Sequence, residues 1–228
     1  MTFSIATHDP HSGWFAAGAV TAMPAVGKLV THARAGVGAA CTQATINPYL
    51  AIDGLAQLAD GRHAQPVLKE LVSADPGRDF RQAGLVDGHG GAWAWTGEQT
   101  PQWAGHLVHP HVVVQGNRLV GPETLEATLE AFQQRDGQVL AHRILEALAA
   151  GEATGADTKG ALSANLTVFA TEDYPLWDVR VDHTEDPVAA LRSLVEEFDQ
   201  ELLPQVRKLP TRADPMGEAA REQTESIG

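Results

Sequence analysis

The chain has 228 residues, 43% hydrophobic and 20% charged, proportions that suit a folded globular protein with a buried core and exclude a disordered or fibrous one. A formal net charge of -13 excludes binding to a phosphate backbone, which needs clustered Lys and Arg, and no basic amphipathic stretch serves an anionic membrane. The single cysteine, Cys41, allows no intrachain disulfide, and the sequence has neither a basic-then-apolar leader nor an apolar run of about 18 residues, so a cytoplasmic protein is expected.

The chain opens Met1-Thr2-Phe3-Ser4-Ile5. Removal of the initiator methionine would leave Thr2 with a hydroxyl beside a free α-amine, placing nucleophile and base on one residue. An α-amine with a pKa of roughly 7.7 to 8.0 suits a general base near neutral pH. Thr2 to Thr7 is β-prone, Asp9-Pro10-His11-Ser12-Gly13 is rich in turn formers, and the apolar run Trp14 to Met23 completes a predicted β-hairpin. A second strand pair is expected over Ala33 to Thr45, where Gly36 and Gly38 leave little side-chain bulk. Leu50, Ile52, Leu55, Leu58 and then Val67, Leu68, Leu71, Val72 recur at helical spacing, broken at Gly61 and ended by Asp75-Pro76-Gly77.

Gln82 to Val86 and Ala92 to Thr96 flank the turn Asp87-Gly88-His89-Gly90-Gly91 and predict another hairpin. That turn lacks the strand-turn-helix order of a nucleotide fingerprint, so no nucleotide cofactor is implied. Trp93 and Trp95 share one strand face and suit core packing beneath a helix, with Trp103 nearby. His106 to Gln115 predicts a single strand. On it His109 and His111 share a face that could hold a metal with a third ligand from elsewhere, but Pro110 interrupts the strand and the histidines are expected in solvent, with no metal site. Helical patterning runs through Leu125, Leu129, Phe132, Val139, Leu140, Ile144 and Leu148, and Gly151 to Gly160 reads as a polar loop. Strands follow over Leu162 to Ala170 and Leu176 to Val181, and a last helix opens at Asp186-Pro187. No repeating apolar face continues beyond Leu203, so residues 1–203 are expected to form one domain and residues 204–228 a polar tail, disordered or wrapped on a partner. The order of elements predicts α+β layering with antiparallel sheets.

The opening segment with Asp9, then Ala25-Val26-Gly27, Ala33 to Ala39, Thr42-Gln43, Asn47-Pro48, Asp75-Pro76-Gly77-Arg78, Arg81-Gln82, Trp103-Ala104-Gly105, Gln115-Gly116-Asn117, Asp157 and Asp178 to Asp182 resembles, in order over roughly residues 2 to 195, the bacterial and archaeal family catalogued as domain of unknown function one thousand and twenty-eight, of the Ntn-hydrolase-like group. The resemblance implies a four-layer αββα sandwich, two antiparallel sheets between helical layers, with Thr2 presented at the end of a sheet. It also implies cofactor-independent hydrolysis of a small-molecule amide through an acyl-enzyme on Thr2, in a protein that self-associates through its helices or tail. Within the matching segments, Gln43, Asn47, Gln115 and Asn117 carry neutral amides able to polarise a carbonyl or orient substrate, and Asp9 and Asp157 carry carboxylates for the amine or for a cationic group. The alternative is a ligand-binding or scaffold protein on the same fold without turnover. The sequence departs from the family pattern at Thr21-Ala22, where members commonly carry Ser-Arg and a guanidinium able to clamp a carboxylate. It departs again over Gly160-Ala161-Leu162-Ser163, where the family often has Arg-Gln before Ser-Ala.

Overall fold

A computed structural model describes residues 1–100, 102–156 and 160–227, with side chains described through residue 224. Two antiparallel sheets and eight α-helices make up its regular structure. The first hairpin is β1 (Thr2–His8) and β2 (Phe15–Thr21), and the short α1 (Gly27–Val30) leads into β3 (Thr31–Arg34) and β4 (Gly38–Ala44). Helices α2 (Tyr49–Ala59) and α3 (Ala64–Ala74) precede the hairpin β5 (Arg81–Asp87) and β6 (Ala92–Thr96). Next come β7 (Trp103–His109), β8 (Val112–Leu119), α4 (Glu123–Gln134) and α5 (Leu140–Glu152). The chain closes with β9 (Ser163–Phe169), β10 (Trp177–Val181), α6 (Pro187–Glu201), α7 (Leu203–Val206) and α8 (Glu218–Ile227).

The larger sheet runs β10-β9-β2-β1-β8-β7 and the smaller β3-β4-β5-β6. Alternation along each strand sorts their faces. On β1, Phe3 and Ile5 turn outward into the main core with Leu125, Leu129, Ile144 and Leu148 of α4 and α5, and with Leu191 and Val195 of α6. The smaller sheet turns Ala40, Ala83 and Leu85 outward onto Leu50, Leu55, Val67 and Leu68 of α2 and α3. Between the sheets lie Ala6, Ala17, Ala39, Cys41, Val86, Ala94 and Val113. These inner residues are small, and a Cβ added at Gly84 would come within 2.6 Å of Val113 Cγ1, so the two sheets approach as closely as their side chains permit.

Two predicted elements are each divided in the structure. The strand expected from His106 to Gln115 is a hairpin of β7 and β8 whose turn is Pro110-His111, with His111 at φ +68° in the left-handed region. Pro at the first turn position and a histidine at positive φ replace the Asn-Gly type of signal that marks such turns. The helical pattern from Leu125 to Leu148 splits into α4 and α5 around Gly137 at φ +80°. Trp93 and Trp95 pack beside the α2–α3 core, as the sequence predicts. The segment after Leu203 lies along the β9–β10 connection, where Tyr174 Oη donates to the Pro210 carbonyl at 3.0 Å and Arg212 pairs with Asp173. Its helix α8 is held by Lys208, which pairs with Glu222 at 2.6 Å and Glu218 at 3.6 Å.

The end of the sheets furthest from Thr2 is fixed by Asp87, 1% exposed. Its carboxylate accepts from the N–H groups of Ala64 (2.8 Å), His89 (2.9 Å) and Gly91 (2.8 Å), tying the β5–β6 turn to the start of α3. Burial opposes its ionisation, yet these three donors and the nearby His63 outweigh burial and hold the carboxyl below the ordinary aspartate range. A depressed folded pKa stabilises the fold fully above about pH 4, and that stability is lost as pH falls through the folded value. Asp87→Asn is therefore expected to be about 1–3 kcal/mol less stable than wild type at pH 7. The gap in urea unfolding should close on acidification, and a gap unchanged down to acid pH would show that the ionised carboxylate is not its source.

Candidate active site

Strand β1 is interior to the larger sheet, flanked by β2 and β8, and Thr2 at its start is paired in register with Thr21 and with Asn117. All three side chains belong to the face that meets the smaller sheet. Thr2 Oγ1 donates to the Met1 carbonyl at 2.9 Å and lies 2.9 Å from Thr21 Oγ1, which itself donates to that carbonyl at 2.8 Å. The Ala22 N–H reaches the same oxygen at 3.2 Å. Three donors thus converge on the carbonyl preceding Thr2. The hydroxyl borders a cleft of about 510 Å³ lined by Met1, Thr2, Met23, Ile46, Phe80 and Arg118, with Ala44, Thr45, Gln99 and Asn117 completing the wall.

Beneath the cleft a ladder of amides links the sheets. Gln43 Nε2 donates to the Thr2 carbonyl at 3.2 Å and to Gln82 Oε1 at 2.8 Å, while Gln43 Oε1 accepts from Ser4 Oγ at 2.7 Å. Gln82 Oε1 also accepts from Asn117 Nδ2 at 3.1 Å. Gln82 Nε2 sits within reach of the carbonyls of Gly105 (2.9 Å) and Gly116 (2.8 Å) and of Thr96 Oγ1 (3.0 Å). Gln43 and Gln82 are fully buried and Asn117 is 4% exposed. Gln43 is therefore committed to holding the backbone of Thr2, and Asn117 is the amide that reaches the cleft.

The other residues expected at the site lie elsewhere. Gln115 is two residues along β8, donating to the Cys41 carbonyl at 3.2 Å, and does not line the cleft. Asn47 braces the loop after β4, donating to Asp75 at 2.9 Å and accepting from the Tyr49 N–H at 3.2 Å. Burial works against ionisation of Asp75, but Asn47, the Gly77 N–H and Arg81 overcome it and lower its pKa. Asp9 follows the far end of β1, about 23 Å along the strand from Thr2 at ~3.3 Å per residue. There it bonds the Ser12 N–H at 3.1 Å and Arg143 at 3.3 Å. Asp157 lies outside the described residues.

The histidines of the β7–β8 hairpin do not converge on one another. His106 Nδ1 is 2.9 Å from Thr96 Oγ1 and its pKa is lowered by burial, His109 is exposed, and His111 faces His8 with their Nδ1 atoms 3.1 Å apart. Asp9, His11 and Asp136 bring possible metal-donor atoms within 4.8 Å of one another. The Arg143 guanidinium bridges their two carboxylates at 3.3 and 3.2 Å, filling the cation's role. Cys41, donating to the Ile5 carbonyl at 3.5 Å, is pushed up to about 12 by burial and is no thiolate nucleophile. A second cavity of about 510 Å³ opens between α2, β3 and β9–β10, lined in part by Lys28, Arg34, Asn165 and Arg180, and contains none of the residues expected at the site.

Thr21, Gln82 and Arg118 are the cleft components that reasoning from sequence did not single out. Gln82 was legible only as part of a family-matching segment and Thr21 only as part of a departure from the family pattern, because their roles depend on register between strands distant in sequence. Gln82→Met would keep the volume and strand Gln43 Nε2, Asn117 Nδ2 and two buried carbonyls. A loss of at least ~2 kcal/mol in denaturant unfolding is expected, and a loss under ~0.5 kcal/mol would show that the ladder adds no stability.

The chain belongs to the family of unknown function DUF1028, whose model matches residues 2–191. It is similar to protein SPO2555 from Silicibacter pomeroyi, a crystal structure of the same family, with 29% identity and a TM-score of 0.86 over 95% of this chain and 98% of that one. A fainter likeness links it to Anbu (ancestral beta-subunit) from Yersinia bercovieri, with 14% identity and a TM-score of 0.44 over 87% of this chain and 96% of that one. No curated protein matches the chain. Among the described residues, no helix is long and apolar enough to cross a membrane.

Proposed function

We propose that the protein is an Ntn-type amidohydrolase that cleaves an amide-type bond of a small molecule through an acyl-enzyme on Thr2. The observation that carries this reading is the position of Thr2: first residue of an interior strand, hydroxyl half-buried at a cleft, backbone held by Gln43 and flanked by Asn117. The layering of helices outside two face-to-face antiparallel sheets supports the Ntn-hydrolase-like fold that the resemblance implies.

In this mechanism a chain that begins at Thr2 carries a free α-amine beside the hydroxyl. The neutral amine takes the hydroxyl proton as Oγ1 attacks the substrate carbonyl, and the oxyanion forms beside Asn117, whose amide is fixed on one side by Gln82. The ammonium then gives its proton to the leaving nitrogen as the C–N bond breaks, leaving an ester on Thr2. Water attacks that ester with the same amine as base, releasing the acid and restoring the hydroxyl. Thr21 Oγ1, 2.9 Å from Thr2 Oγ1, positions the nucleophile.

A second reading, ligand binding without turnover, is favoured by Met1 itself. Its side chain joins the main core and its carbonyl occupies the donors of Thr2, Thr21 and Ala22. The two readings part on intact mass and on a screen of small amides and ureido compounds. The hydrolase is expected to have lost Met1, to form a Thr2 ester with an electrophilic amide mimic, and to lose at least ~10³-fold in kcat/KM on Thr2→Ala, with Thr2→Ser partly active. Retained Met1 in active protein, or undiminished turnover by Thr2→Ala, would defeat it.

A further inference from the structure

We propose that the Thr2 cleft takes small amides bearing a carboxylate next to an apolar group, and that Arg118 selects the carboxylate. The fate of the amide rests on the Thr2 hydrolase reading, whereas the selection of the carboxylate does not.

The backbone is the first support. Across the β7–β8 pair, Ala104 is opposite Asn117 and Trp103 is opposite Leu119, so Arg118 is the extra residue of a β-bulge. It sits at φ +55°, a left-handed conformation that a β-strand does not use and a long side chain rarely adopts. Bulges re-aim a side chain, and here the effect is to place Arg118 on the cleft wall directly after Asn117. Ala44, on the facing strand end and also lining the cleft, is at φ +68°. Two of the five non-glycine residues with positive φ therefore border this one cleft, and departures of this kind gather where function holds them.

Charge is the second support. Among the described residues, Arg118 is the only charged side chain lining the cleft. The chain carries 29 Asp and Glu against 16 Lys and Arg, yet no carboxylate among the described residues pairs with the Arg118 guanidinium. Its planar fork of donors is exposed at the cleft without an internal carboxylate, and carboxylate is a group it binds well in two parallel hydrogen bonds. Shape supplies the rest. Met23 (64% exposed) and Phe80 (51% exposed) present large apolar side chains on the same wall, with Ile46 between strand β4 and the α2 loop. An acylated amino acid with an aliphatic side chain combines the three features: amide, carboxylate and apolar group.

The test is a binding comparison in the Thr2→Ala protein, which separates recognition from turnover. N-acetyl-leucine and its neutral carboxamide are titrated calorimetrically into that protein and into the same protein carrying Arg118→Ala or Arg118→Lys. The carboxylate is expected to bind about tenfold tighter than the carboxamide, Arg118→Ala to erase the difference, and Arg118→Lys to keep part of it. Equal binding of the two compounds, a preference that survives Arg118→Ala, or no binding of either at millimolar concentration would overturn the proposal. Turnover of neutral amides at rates indifferent to Arg118 would discard the selectivity and keep Thr2 as nucleophile. Selective carboxylate binding with no turnover by wild type would do the reverse.

Discussion

The side-chain amide of Gln82 is the contact on which the arrangement around Thr2 depends. From one strand of the smaller sheet it accepts from Gln43 beside it and from Asn117 across the gap, and it reaches the backbone of both β7 and β8 in the larger sheet. A buried amide that uses its oxygen twice and its nitrogen repeatedly has no freedom to rotate, and each partner would lose a hydrogen bond without it. The rest of the inner faces carries mostly small residues, Ala and Gly with Cys41, Val86 and Val113, and the large Phe15 lies at the end of the sheet away from Thr2. Where Gly84 and Ala6 let the sheets close, only a short, flat polar layer fits. At the Thr2 end that layer is made of amides, and at the opposite end small apolar side chains give way to Asp87 and the histidines.

This division gives the two ends of β1 different roles. Around Asp9 and His8 the polar groups answer one another: Asp9 and Asp136 with Arg143, His8 with His111, Asp87 with three backbone donors. Around Thr2 the pairing runs through the first peptide bond. The hydroxyls of Thr2 and Thr21 meet at a carbonyl of the chain's own first peptide bond, and the Arg118 guanidinium meets no acid. Around Asp9 and His8 the polar groups pair with other groups of the fold, whereas at Thr2 the hydroxyl donors meet the carbonyl of the very peptide bond that removal of Met1 would break.

Much of the fold was legible in the sequence because its signals are local. Turn formers after Thr7, Gly36 and Gly38 in the second hairpin, the break at Gly61 and the Asp186-Pro187 helix start each fall where an element begins or ends. The Asp186 side chain accepts from the Ala189 N–H at 3.1 Å, as a capping residue should. The β7–β8 turn escaped because His111 adopts a left-handed conformation without the residue type that advertises it. The site was legible in kind and less so in membership. Neutral amides were expected around Thr2, and Gln43 and Asn117 are there, but strand register decided which others joined them. Gln82 faces the gap because it is even-numbered on β5 with Gly84 and Val86. Asn47, only a few residues beyond Gln43, is past the strand end and spends its amide on Asp75.

Arg118 owes its place at the Thr2 cleft to the irregularity of β8. The chain carries Ala22 where its resemblance to the family leads one to expect an arginine, at the position following Thr21 and hence beside the nucleophile's strand. The Arg118 guanidinium reaches the Thr2 cleft from β8, the other neighbour of β1, carried there by an extra residue in that strand. Strand β2 ends at Thr21, level with Thr2, whereas β8 runs two residues past Asn117 to Leu119, so the bulge at Arg118 lies just beyond the nucleophile's level. The bulge at Arg118 puts a positive charge on the cleft wall beside Asn117. The carboxylate of a bound amide would then lie on the Asn117 side of the reacting carbonyl, with the apolar group free to extend toward Met23 and Phe80.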